Sequence, residues 1–127
     1  MSLLEGFEAF DFSEGAPYVS VTKNGVTFNK AVVLKLGNPR FVTLLINSQT
    51  HQIAVQASDE NNPKAVPFFK EKKSGLVSVR WNSKDLLFTI SSMMDWNLDS
   101  TSYRVTGTLY REEKAFIFNF DKAEILK

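Results

Sequence analysis

His51 is the one histidine in the chain, and there is no cysteine. Thiolate catalysis, disulfides and any nitrogen- or sulfur-rich zinc site are thereby excluded, because each needs groups that are missing. His51 itself falls among small polar residues, 47–51, that read as a turn, where a histidine is ordinarily a solvated group. Two carboxylate pairs, Asp95/Asp99 and Glu112/Glu113, have the residue types for acid–base work, yet both lie in segments that read as loops or turns. Asp59-Glu60-Asn61-Asn62 offers oxygen ligands without the spacing or terminal glutamate of a calcium loop. There is no phosphate-cradling glycine loop, no G-x-S-x-G elbow and no dinucleotide fingerprint. Trp81 and Trp96 could line a pocket, but packing in or beside a core is the default for both. Neither catalysis, a cofactor nor a resident metal is expected.

Charge carries more information than these scattered groups. Of 15 lysines and arginines, only Lys23, Lys30, Lys35 and Arg40 lie between Gly15 and Ser58, and none of the 14 acids does. The net charge of +1 therefore hides an acid-free stretch against an acidic remainder. Such a stretch is either a set of solvated lysines or a basic face for an anionic partner.

The elements that must position these residues are short. Leu3, Phe7 and Phe10 lie at helical spacing in an acidic, aromatic start, which Glu14-Gly15-Ala16-Pro17 interrupts. Residues 18–23 alternate as a strand, Asn24-Gly25 reads as a tight turn in which both residues tolerate positive φ, and 26–28 form a second short strand. Asn29 can cap a two-turn helix over 30–36, which Gly37-Asn38-Pro39 ends. Residues 41–46 and 52–57 read as a hairpin, and Pro67 demotes 65–69 to an edge or a cover. A strand over 76–81 leads to a second helix capped by Asn82 or Ser83, with Leu86, Leu87, Ile90, Met93 and Met94 as its apolar stripe. A second hairpin follows, over 103–111 and 115–120.

The aromatic-then-Asn step recurs, as Phe28-Asn29 and again as Trp81-Asn82, each time between a strand and a helix that a hairpin follows. Two β–α–β–β units, about 18–57 and 76–120, are therefore expected within one domain spanning 1–127. Neither could bury its apolar face alone, so the expected fold is mainly β with two short helices (α+β), packed as one barrel-like or two-layer domain. The expected core comprises Val26, Phe28, Leu36, Leu44, Ile46, Ile53, Val55, Val79, Trp81, Leu87, Ile90, Val105, Leu109, Phe116 and Phe118.

Val26-x-Phe28-Asn29-Lys30, then Leu36-Gly37, then a hairpin bearing Leu44, Ile46, Ile53 and Val55, resembles the AbrB/MazE-type swapped-hairpin domain of bacterial regulators and antitoxins. Lys23-Asn24-Gly25 resembles the basic lead-in of the antitoxin branch. The resemblance covers residues 23–57, with Asn29 where the family has proline and no Gly-Asp opening the hairpin. It implies a small DNA-binding regulator or antitoxin-like module, with two units of one chain forming what the family builds as a dimer. Lys23, Asn24, Lys30, Lys35 and Arg40 are then the candidate DNA contacts. The alternative is a protein-interaction or accessory module with no nucleic-acid role, which gains if the bases scatter.

The longest apolar runs, such as 31–34 and 44–46, are far shorter than the ~20 residues of a membrane span. With the absence of cysteine, a cytoplasmic location is expected. Residues 4–14 carry Glu5, Glu8, Asp11 and Glu14 beside Phe7, Phe10 and Phe12, with no base. This arm is expected to dock its aromatics on the domain or on a partner chain.

Overall fold

Val19 and Val21 alternate with half-buried neighbours in β1 (Tyr18–Thr22), and Val26 and Phe28 do the same in β2 (Gly25–Phe28). The computed structural model describes residues 3–7, 15–71, 75 and 77–126. The two strands form a hairpin in which Thr22 pairs with Gly25. Its turn therefore consists of Lys23 and Asn24, and neither has the positive φ anticipated for Asn24. Gly25 has the positive φ (149°), and close approach also requires glycine there, since a Cβ would lie 2.7 Å from the Trp81 carbonyl oxygen.

Helix α1 (Lys30–Lys35) is too short to persist by propensity. It is held by burial of Ala31, Val32 and Val33 and by Asn29. The Asn29 Oδ1 accepts from Val32 N (3.2 Å) and Tyr18 N (3.0 Å), and its Nδ2 donates to the Ala16 carbonyl (2.8 Å). One side chain thus joins the start of the helix to the start of β1. Asn29→Ala removes a cap and orphans Tyr18 N, so we expect a loss of about 1–2 kcal/mol in urea unfolding. A loss below about 0.5 kcal/mol would show that water replaces it.

The first long hairpin comprises β3 (Phe41–Asn47) and β4 (Gln52–Ser58). The two-residue strand β5 (Val66–Pro67) adds to β3, an edge position as Pro67 requires. β6 (Val79–Trp81) pairs with β2. Helix α2 (Lys84–Met94) is capped by Ser83, whose Oγ accepts from Leu86 N, and ends at Asp95 in the left-handed conformation. β7 (Ser102–Tyr110) and β8 (Ala115–Asn119) form the second hairpin. A 3-10 turn over Phe120–Lys122 and β9 (Glu124–Leu126), which returns to β7, were not anticipated.

Every pairing is antiparallel, in the order β5-β3-β4-β8-β7-β1-β2-β6. The fold is thus mainly β with two helices, its sheet curled into a half-barrel around one core. Phe28, Phe116, Phe118 and Phe120 are all at most 1% exposed there.

The expected core needs correction at its margins. Ile46 shares the inward register of Ile53 and Phe118 but sits at the hairpin tip, and is 42% exposed. Leu44, Trp81, Leu87 and Leu109 are half-buried around the rim, and along α2 only Ile90 is fully buried. Val42, Phe68 and Phe120 join the core beyond the expected residues, Phe120 on the face that alternation assigns to Phe116 and Phe118. Phe68 enters because its N–H and that of Phe69 donate to the Arg40 and Pro39 carbonyls, pinning irregular chain over the core.

Candidate binding site

The five candidate DNA contacts do not form one cluster. Lys23 and Asn24 are exposed on the β1–β2 turn, while Lys30 is exposed on the first residue of α1, at the other end of β2. The intervening strand separates them by roughly 10 Å or more at ~3.3 Å per residue. Lys35 is half-buried on the last turn of α1, and Arg40 is exposed just ahead of β3. Lys23 instead lines a cleft of about 350 Å³ with Phe88, Trp96 and Asp99. Trp96 is fixed there by stacking on Tyr103 (centroids 3.8 Å apart, planes 9° apart) and on Phe120. Phe88, in contrast, is 72% exposed.

His51 is less isolated than its turn suggested. Its Nδ1 lies 2.7 Å from Asp121 Oδ1, with both side chains substantially exposed. An exposed pair of this kind contributes little to stability. Among the described residues, no group of three or more histidines and carboxylates could hold a metal ion. No helix there is long and apolar enough to cross a membrane.

A more distinctive feature lies where the sheet stops. Among the described residues β5 pairs only with β3 and β6 only with β2, so the sheet ends in two unpaired strands, and residues of both line one open seam. In the seam is a groove of about 500 Å³. Leu44 and Leu86 contribute from β3 and α2, Val66 and Pro67 form one bank, and Arg80 and Trp81 the other. Arg80 is the one charged residue lining it. Trp81 forms part of the floor. Its ring meets Phe28 and Phe68 edge-on at 5.1 and 5.9 Å, and its Nε1 donates to the Pro67 carbonyl (3.3 Å) across the seam. The Arg80 Nε donates to Thr27 Oγ1 at 3.2 Å, which holds the guanidinium on the outer face. Sequence reasoning missed the groove because its banks lie some fifteen residues apart on strands that do not pair with one another. Pro67 and Trp81 were noted only singly.

No protein-family model, curated protein or solved structure matches this chain.

Proposed function

We propose that the chain is a non-enzymatic interaction module whose seam groove receives an apolar segment of a protein partner. The observation that carries this reading is the groove itself: an apolar slot between two strand edges that lack neighbours among the described residues. Exposed strand edges bind added segments through main-chain hydrogen bonds, and adjacent pockets select side chains. Pro67 blunts β5 by removing a donor, so β6 is the edge better able to pair.

We also read the domain as two related units, β1–β4 with α1 and β5–β8 with α2. The support is in the pairings. Exchanging the two units maps β1·β7 onto β5·β3 and β3·β4 onto β7·β8, while β2·β6 and β4·β8 map onto themselves. The registers agree: Val26↔Trp81 and Phe28↔Val79 are symmetric about Thr27↔Arg80, and Ile53↔Phe118 and Val55↔Phe116 about Ala54↔Ile117. Apart from β9, which lies outside both units and pairs β7, the β1·β2 pair alone lacks a counterpart among the described residues. Its equivalent would be β5·β6, which is the open seam. On this reading the groove lies where a strand pair is missing from an otherwise complete ring.

The test is selection from a displayed random-peptide library by the full chain. Enriched peptides should carry a large apolar residue, shift the Trp81 indole N–H resonance, and bind at least tenfold more weakly to Val66→Asp. Val66 is 38% exposed, so this substitution should leave the fold intact. Selection of peptides that leave Trp81 unmoved would count against the groove.

A second reading, a DNA-binding regulator, draws on the symmetric pairings, which suit the swapped-hairpin resemblance, and on the acid-free stretch. It predicts duplex binding at ~50 mM salt that weakens by roughly −0.9 log units per log unit of salt for each phosphate neutralised. Charge reversal at Lys23 and at Arg40 should each weaken it. Absence of duplex binding at that salt would remove this reading. We rank it second because the candidate contacts lie at both ends of β2.

A further inference from the structure

We infer that the segment received by the groove is the acidic-aromatic N-terminal arm of a second copy of this chain, an assignment that rests on the groove reading above. Phe7 is 76% exposed and Leu4 70% exposed, an unfavourable arrangement for large apolar side chains. Gly6 and Phe7 lie in a surface cleft beside the β7–β8 turn, lined also by Leu109, Tyr110, Arg111, Glu112 and Glu113; it shares no lining residue with the seam groove and leaves Phe7 largely exposed. Phe10 and Phe12, also expected to dock, lie outside the described residues.

Burial favours the groove and charge is compatible with it. The arm carries Glu5, Glu8, Asp11 and Glu14 without a base, and Arg80 is the one charge lining the groove, with exposed Lys84 and Asp85 following in α2. An apolar segment with acidic flanks therefore fits both the slot and its rim. Reach is adequate. From Leu4 to Pro17 the chain can extend up to about 45 Å at ~3.4 Å per residue, well beyond a radius of gyration of roughly 14 Å. Two copies exchanging arms would form a closed, two-fold pair in which each completes the other's seam. Only a few side chains enter, so the contact belongs with small, transient interfaces.

The experiment combines sedimentation of the full chain with NMR of the Trp81 indole N–H, assigned through a Trp96→Phe variant. The probe is a synthetic peptide of residues 4–14. The full chain should dimerise reversibly with concentration, and the peptide should shift the Trp81 resonance and displace the dimer. Phe7→Asp and Arg80→Glu should each weaken dimerisation at least tenfold, and Arg80→Glu combined with Glu5→Arg should recover part of that loss. Unchanged thermal unfolding of Phe7→Asp would confirm that folding is unaffected. A chain that stays monomeric at millimolar concentration, with Trp81 unmoved by the peptide, would overturn the inference. If library-selected peptides still shift Trp81 in that case, the groove reading survives without it. If they do not, both fall.

Discussion

Phe28→Ala is expected to destabilise the domain by about 3–5 kcal/mol, the range for removing a buried phenylalanine. Phe28 has no exposed surface and meets three rings, those of Phe68, Trp81 and Phe118, at centroid distances of 5.5, 5.1 and 5.8 Å. These rings come from the chain after β5, from β6 and from β8. Phe28 is therefore where the two edges of the sheet and its centre meet. Trp81 lines the groove and Phe68 packs against it, so the surroundings cannot close on the cavity without moving a bank of the groove. The cost should consequently fall in the upper part of the range, a large share of the ~5–15 kcal/mol total of a typical domain. Urea unfolding measures it, and the Trp81 indole resonance should shift even where the variant remains folded. Phe88→Ala is the control. Phe88 is 72% exposed, so its loss should change stability by no more than about 0.5 kcal/mol. Comparable losses from the two substitutions would contradict this account of the core.

Gly107→Val should be nearly as damaging, for the opposite reason. Gly107 sits on the inward face of β7 directly across from Phe118. A Cβ there would lie 2.5 and 2.9 Å from atoms of the Phe118 ring and 3.0 Å from the Phe116 ring. Neither ring can yield easily, since both are fully buried and stacked on one another. Overpacking of this kind typically costs about 1–3 kcal/mol for a small excess of volume, and valine adds three carbons. We expect about 3 kcal/mol for Gly107→Val, and less for Gly107→Ala because restricting the unfolded chain offsets part of the clash. Phe118→Leu offers the decisive comparison. If ring contact is the cause, Gly107→Ala with Phe118→Leu will be more stable than the sum of the single losses implies. Strict additivity would instead point to a backbone requirement at Gly107.

The elements themselves were legible from neighbouring residues. Asn29 ahead of an apolar pair, with Gly37-Asn38-Pro39 beyond, marks both ends of α1. Gly37 and Asn38 take the positive φ that closes it, and the Asn38 N–H donates to the Val33 carbonyl. Alternation placed both long hairpins to within a residue or two, and Pro67 marked an edge. In each case the deciding interactions span four residues or fewer along the chain, or a single turn, so composition and spacing are sufficient.

Tertiary structure decided what depends on contacts between distant segments. Strand alternation assigns Ile46 to the inward face, but whether that face is covered at the hairpin tip depends on what packs over it. Phe68 reads as part of an edge or a cover, and hydrogen bonds from its N–H and that of Phe69 to the Arg40 and Pro39 carbonyls hold it in the core. The pairing of His51 with Asp121, 70 residues apart, and the stacking of Trp96 on Tyr103 have no local signature. The seam is the clearest case. Residues 65–69 read as an edge or a cover and 76–81 as a strand, and nothing in either states that the two will line one groove. Their juxtaposition follows from the way six intervening strands curl, a property of collective packing that residue spacing does not encode.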